Sequence, residues 1–346
     1  MSKETYLVTG AAGHLGSYIV KELLQQGKRV HAFLLPGEKC PQYITKNKHL
    51  LSEHFGNICD FYSIVNVLND CKSKDLTIIH SAGIISILNK KDRHLYDVNV
   101  KGTENIIKIC EMYSVKRLVY ISSVHAIPSL PQGQIINEVQ SFDPDAVFGY
   151  YDKTKAIATQ LVLNAVSNGL NAVIVHPSGI IGPHGLPTGN MSQLISLYVM
   201  GKLPAAIEGG YDFVDVRDVA AGVIAAAAKG KCGECYILSN RFVGMKEFFD
   251  ILFHAGAKRK QKIYLPFFVV KAIAPLAEIY YYLSHKIPLF TRYSLSVLQG
   301  NGMYSHEKAS RELKYTTRPI KETLIDTVKW IKGLNLEQNE NNIYSR

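Results

Sequence analysis

The 346-residue chain carries 39 lysines and arginines against 29 aspartates and glutamates, a formal net charge of +10. Its 47% hydrophobic and 20% charged content fits a globular chain able to bury one large core or two modest ones. No nucleic-acid-binding module accompanies the basic excess, so anions or acidic lipid are its expected counterpart and nucleic acid is not.

Met1-Ser2-Lys3-Glu4 leads straight into the apolar run Tyr6–Val8, which leaves no room for a signal peptide; a cytoplasmic location is expected. Gly10, Gly13 and Gly16 follow with G-x-x-G-x-x-G spacing, then a helix over Ser17–Gln26. Glycines are needed where backbone turns tightly and approaches a pyrophosphate at a helix N-terminus. Strands are predicted at Arg29–Leu34, Leu50–Phe55, Leu76–His80, Arg117–Ser122 and Asn171–His176. Between them lie helices over Asp60–Leu68, Asp97–Tyr113 and Tyr150–Asn168. Continuous apolar strands alternating with helices imply a doubly wound parallel α/β sheet of Rossmann type. After Pro177 the rhythm breaks. Residues 1–185 are assigned to the dinucleotide-binding domain, with 211–257 returning to it through a helix over Val216–Ala228 and a strand at 235–238. Residues 186–210 and 258–333 form a smaller interleaved substrate lobe, and 334–346 a frayed tail.

Lys258-Arg259-Lys260-Gln261-Lys262 precedes an apolar run from Ile263 to Leu283. Lys271, Glu278, Pro266 and Pro275 interrupt it too often for a bilayer span. The stretch 258–290 reads either as a cover over the substrate pocket or as a peripheral membrane contact. Of the six cysteines, Cys232 and Cys235 form a lone CxxC. It lacks the second pair that zinc requires, so no metal is expected.

The strand ends carry the candidate chemistry: His80-Ser81-Ala82-Gly83, then Ser122-Ser123, then Tyr151 and Lys155 on one face of the next helix. An ammonium beside a phenol lowers its pKa, and a serine opposite holds the reacting oxygen. YxxxK recurs at Tyr198/Lys202, Tyr282/Lys286 and Tyr304/Lys308, but only Tyr151/Lys155 lies in the Rossmann-like half.

These motifs, with Asp97-Val98-Asn99-Val100-Lys101-Gly102-Thr103, His176-Pro177-Ser178-Gly179 and Phe213-Val214-Asp215-Val216-Arg217-Asp218, resemble the extended short-chain dehydrogenase/reductases, the NAD-dependent epimerase/dehydratase family, over Tyr6 to about Lys332. The resemblance implies Tyr151 as general acid/base, Lys155 on the nicotinamide ribose, Ser123 on the reacting oxygen with Ser122 as fallback, and Asn99 as a site-shaping residue. It implies cofactor contacts at Gly10, Gly13, His14, Leu15, Gly16, Leu35, Asn57, Ile58, Ser81, Ala82, Gly83, Lys155, Pro177 and Ser178. His125 is expected to line the substrate pocket beside Ser123 and Tyr151.

Two departures from the family pattern stand out. Leu35 occupies the end of strand two, where an acid would mark NAD; Lys39 is the nearest cation for a 2′-phosphate, and NADP is slightly favoured. Tyr211 stands where the sugar-nucleotide epimerases have an arginine that grips the diphosphate. The expected activity is therefore alcohol/ketone (or aldehyde) oxidoreduction on a small or lipophilic molecule, nearest the dihydroflavonol reductase and 3β-hydroxysteroid dehydrogenase branch. Part of that likeness is the late segment Pro288-Leu289-Phe290-Thr291-Arg292-Tyr293. The alternatives are a sugar epimerase or dehydratase retaining its cofactor, and a non-catalytic dinucleotide sensor. A homodimer is compatible with the resemblance.

Overall fold

The apolar runs of the first half become β1 (Thr5–Thr9), β2 (Arg29–Leu34), β3 (Leu51–Phe55), β4 (Leu76–His80), β5 (Arg117–Ile121) and β6 (Ala172–Pro177). The structure, a computed structural model, describes residues 4–71, 75–186, 189–270 and 291–344. Residues 271–290 lie outside the described residues, and with them most of the apolar run after Lys262 and the start of the Pro288–Tyr293 segment.

Seven parallel strands form the main sheet in the order β10-β6-β5-β4-β1-β2-β3, with β10 (Cys235–Leu238) joining late from the far side of the chain. The expected doubly wound parallel sheet is thus present. Its middle strands are apolar at their centres because helices cover both faces: Leu7, Val8, Ile78 and Ile79 are fully buried. Burial of each such side chain contributes about 1.5–3 kcal/mol. The covering helices are α1 (His14–Gln25), α2 (Phe61–Cys71), α3 (Arg93–Tyr96), α4 (Gly102–Met112), α5 (Tyr150–Ser167), and later α7 (Val216–Lys229). Strand order reverses between β1 and β4, which opens a crevice beyond their C-terminal ends.

One expected helix is differently built. Instead of starting at Asp97, it begins at Arg93, passes through a π-helical turn over Asp97–Lys101, and continues as α4. The wider turn accommodates an extra residue and re-aims the side chains near it, Asn99 among them.

Beyond β6 the chain builds a second layer. β7 (Gly179–Ile181), β9 (Gly210–Asp215) and β11 (Arg241–Gly244) form a three-stranded sheet in which β9 is central. β8 (Ala206–Ile207) and β12 (Tyr264–Leu265) pair separately. α6 (Asn190–Val199), α8 (Met245–His254), α9 (Arg292–Gln299) and α10 (Glu307–Leu313) complete the described part. Of 211–257, α7 and β10 therefore lie with the large sheet and β9 and β11 with the small one. The last helix, α11 (Ile320–Tyr344), runs on through the Asn- and Glu-rich stretch that the sequence reads as a tail. Leu324, Val328 and Ile331 are buried along its first turns. Once a helix is nucleated by packing, further turns add at little cost.

Candidate active site

The turn after β1 is built for close backbone approach. Gly10 adopts φ +65°, and a Cβ on Gly16 would sit 2.1 Å from the Gly10 carbonyl oxygen. A Cβ on Gly13 would meet only that same oxygen, at 3.1 Å, so its outer face is open. α1 has no capping side chain and no acid in its first turn, which leaves the positive end of its dipole uncompensated. The turn thus fits a pyrophosphate. The His14 ring is turned away, Nε2 donating to the Pro183 carbonyl at 2.9 Å. What His14 and Leu15 offer an anion is backbone N–H.

Beside this turn the β4 end is fixed by a chain of hydrogen bonds. Thr103 Oγ1 donates to the Asn99 carbonyl at 2.8 Å, so the His80 Nε2–H donates to Thr103 at 3.2 Å. His80 Nδ1 then accepts from Thr9 Oγ1 at 2.8 Å, and Thr9 accepts from Ala82 N at 3.2 Å. Burial pushes His80 down to about 3, so the ring is a neutral strut. It holds Ser81, Ala82 and Gly83 against Gly10, whose Cβ would lie 2.8 Å from Ala82.

Lys155 rises from α5 beneath Gly83. It is buried, its Nζ donates to the Ile121 carbonyl at 2.9 Å, and it lies 5.3 Å over the Tyr120 ring. Burial pulls its pKa down to about 8. Asn99 is equally buried. Its Oδ1 accepts from Ile84 N at 2.8 Å, and its Nδ2 donates to Ile84 O at 3.0 Å and to Thr154 Oγ1 at 3.1 Å. The π-turn thus braces the loop above the lysine.

Tyr151 is buried one helical turn from Lys155, with the Ser123 hydroxyl bearing on its phenol. Burial raises its pKa; Ser123 lowers it and the Asp152 charge raises it further. The expected lowering by Lys155 is not what the geometry gives, because the ammonium is directed at Ile121 O and the Tyr120 ring. Tyr151 is a protonated phenol at neutral pH. Ser123 caps a short turn, its Oγ accepting from His125 N at 3.2 Å, and His176 Nδ1 donates to its carbonyl at 3.0 Å. Ser122 faces the other way, donating to Thr159 at 2.6 Å, while Thr159 donates to Lys155 O. The structure therefore separates the two serines: Ser123 points to Tyr151, and Ser122 locks α5 to the sheet.

Opposite Tyr151 stands a wall that the sequence showed only in His125. The His125 ring is edge-on to Tyr151 at 6.2 Å and stacked on Tyr211 at 5.7 Å. Tyr211 OH bonds His125 Nε2 at 2.9 Å, and His125 Nδ1 lies 3.4 Å from Tyr293 OH and 3.6 Å from Asp152. Tyr293 donates to Asp152, and the Tyr304 ring meets Tyr211 edge to face at 6.3 Å. Burial lowers the His125 pKa against the opposing pull of Asp152. Tyr211, Tyr293 and Tyr304 arrive from three separate stretches of the lobe, which no local spacing could reveal.

The remaining candidates are spread along the crevice. Leu35 is exposed, and its N–H donates to Glu38 Oε2 at 2.9 Å. Asn57 Oδ1 is occupied by Cys59 N at 2.9 Å. Ile58 packs inward on Gly102, whose Cβ would lie 2.6 Å from its Cδ1. Pro177 ends β6, and the Ser178 hydroxyl donates to the buried Asp212 at 2.5 Å rather than into the crevice.

A glycine cradle at β1, a buried tyrosine–serine pair and a lysine beneath it, on a doubly wound sheet, define a dinucleotide-dependent oxidoreductase. The chain belongs to the NAD-dependent epimerase/dehydratase family, whose profile matches residues 6–239. It is an NAD(P)-dependent oxidoreductase of the extended short-chain type. It is 27% identical over 332 residues to sterol demethylase protein B of Methylococcus capsulatus, covering 95% of this chain and 98% of that one. It is also 27% identical over 351 residues to the decarboxylating sterol-4-alpha-carboxylate 3-dehydrogenase of Schizosaccharomyces pombe, covering 96% and 98%. The solved structure of gox2253 superposes with a TM-score of 0.79 at 26% identity over 95% of this chain and 98% of that one.

Proposed function

We propose that the protein interconverts a secondary alcohol and a ketone on a lipophilic substrate. A bound dinucleotide would supply or accept the hydride at the reacting carbon. Tyr151 gives its proton to the oxygen as a ketone is reduced, or takes it back as an alcohol is oxidised, and Ser123 holds that oxygen. Lys155 would meet the nicotinamide ribose, and Asn99, bonded to Ile84 and Thr154, holds the loop over the lysine in place. The observation that carries this reading is the pair of buried hydroxyls on Ser123 and Tyr151, faced by the uncharged ring of His125 and the hydroxyl of Tyr211. A sugar diphosphate would need cationic compensation at 211. There Tyr211 is engaged by His125 instead. The sterol names of two relatives support the lipophilic side of the proposal.

For the cofactor, Glu38 weighs against the lean to NADP. Its carboxylate sits on the Leu35 N–H at the end of β2, Lys39 is exposed, and Glu53 accepts from Cys40 N at 3.0 Å nearby. Negative charge beside the adenine ribose suits a 2′-hydroxyl and repels a 2′-phosphate. NAD is the proposed partner. NADH and NADPH oxidation against a panel of ketones, aldehydes and sterols tests both halves. Turnover of a lipophilic ketone with NADH is expected. Tightly copurified dinucleotide with turnover only of nucleotide sugars would replace the reading with the epimerase one.

A further inference from the structure

The surface around α9 is apolar in an unusual way. Its N-cap, Thr291, donates to the Ile87 carbonyl at 2.6 Å, so the loop between β4 and α3 lies against that end of the helix. On its other side Leu295 packs with Val270, Leu265 and Phe267. Between them Tyr293 stacks parallel to Phe148, with ring centroids 6.5 Å apart, while its hydroxyl reaches Asp152 in the catalytic helix. Each surface segment that meets α9 exposes a large apolar side chain: Ile85 is 73% exposed, Leu88 50%, Phe148 63% and Phe268 74%. Single exposed apolar residues are ordinary; four gathered around one two-turn helix mark an interaction surface.

Charge accompanies them. Lys90 and Lys91 follow Leu88, are exposed, and have no carboxylate partner among the described residues. The acids next to them are engaged at home. Asp92 caps α3 through His94 N at 2.8 Å, and Asp97 pairs with Lys101 at 2.9 Å and Arg93 at 3.7 Å. The base of the same loop is at the chemistry, since a Cβ on Gly83 would lie 3.4 Å from Lys155 Nζ and 3.3 Å from Asn99 Oδ1.

We propose that this rim docks on an anionic lipid bilayer, with Ile85, Leu88, Phe148 and Phe268 entering the interface and Lys90 and Lys91 meeting the headgroups. The proposal rests on the lipophilic-substrate reading for its purpose: a water-insoluble alcohol or ketone would pass from lipid to Tyr151 along the loop that carries Gly83. Separate apolar tips flanked by long, exposed cations suit a deformable charged surface. A twofold contact between copies of this chain would bring both lysine pairs, unneutralised, into one interface.

The test is co-sedimentation of the full chain with phosphatidylcholine vesicles, with and without phosphatidylserine, at low and high salt. Wild type should pellet with the phosphatidylserine vesicles and be released by salt. Lys90→Ala/Lys91→Ala should weaken that binding about thirtyfold, from about 1 kcal/mol per near-surface cation. Ile85→Ser/Leu88→Ser should weaken it even at low salt. Unchanged NADH affinity and thermal midpoint certify the fold of each variant. Equal, negligible pelleting of wild type with both vesicles would overturn the proposal. So would full binding by Lys90→Ala/Lys91→Ala, or a dimer in vesicle-free solution that the same variant converts to monomer. Vesicle binding through the rim without turnover of any ketone or sterol would remove the proposed chemistry and leave the docking standing.

Discussion

At the scale of single residues, the site keeps Tyr151 protonated and hides a lysine with no anion beside it among the described residues. Tyr151→Phe is expected to cut turnover by about 10²–10⁴-fold while leaving NADH affinity nearly unchanged, because the proposed acid is lost and the ring stays in place. Steady-state rates and a fluorescence titration read the two together. Lys155→Met should behave oppositely on stability. Burial holds the folded-state pKa near 8, below the ordinary lysine value, so the unfolded chain binds the proton more tightly. The Lys155 contribution to stability then rises with pH between about 8 and 10.4, and the charged lysine is a cost below that window. The methionine variant should melt higher than wild type at pH 7 and show no such rise, while losing activity and dinucleotide affinity. A lower midpoint at pH 7 would mean that the Ile121 hydrogen bond outweighs desolvation. Tyr151, Lys155 and Ser123 stood out as candidates because they lie in local motifs. The partners that orient them were not. Thr154 and Thr159 look like ordinary helix residues until Asn99 and Ser122 meet them, and Tyr293 meets Asp152 only across 141 residues of chain.

At the scale of elements, two irregularities do the positioning. The glycine turn separates binding from folding. Gly13→Val should abolish NADH binding and leave the circular dichroism spectrum and melting point close to wild type, since its Cβ meets one carbonyl oxygen at 3.1 Å and otherwise open space. Gly16→Val should damage both, because 2.1 Å to the Gly10 oxygen forces backbone to move. Equal melting points for the two variants would contradict this division. The π-turn at Asp97–Lys101 was not legible: Asn99 fits a regular helical pattern, and the extra residue shows only once the backbone is seen. Most strand positions were legible, since a parallel sheet covered on both sides demands unbroken apolar runs. The short strands of the lobe carry no such signature. β8 and β12 are two residues each and exist through their pairing alone.

Over the whole molecule, the two layers are joined by ion pairs at the start of α7. Asp215 caps that helix and accepts from Arg217 at 2.7–2.9 Å. Arg217 reaches Asp326 in α11 at 2.8 Å, and Arg318 holds Asp218 at 2.9 Å. Burial pushes the Asp215 carboxyl upward, but the Arg217 bonds and charge outweigh it and the pKa ends below the usual range. A depressed carboxyl stabilises above its unfolded pKa and stops doing so as pH falls through the folded value. Asp215→Asn should therefore cost about 3 kcal/mol at pH 7, by leaving Arg217 half-paired in a buried setting, and the gap to wild type should narrow on acidification below pH 4. Urea unfolding at pH 7 and pH 3 measures it. A constant gap would mean that the carboxylate charge is not what holds the junction, since asparagine still caps the helix. The interleaving of the layers was visible in the sequence as a broken rhythm. Which strands pair across it was not, since β7, β9 and β11 come from three distant stretches.

The late arrival of β10 has a consequence for biosynthesis. Among the described residues it is the outermost strand of the main sheet, paired there with β6, laid down some sixty residues earlier. A ribosome must therefore expose β6, with its apolar Val173 and Val175, lacking a partner on one edge until residue 238 has cleared the exit tunnel. Open apolar edges are templates for pairing with other chains. Nascent chains stalled or cleaved between residues 177 and 235 are expected to pellet with aggregates, and those stalled well past residue 238 to remain in solution. The cell's chaperones would meet this protein chiefly in that interval.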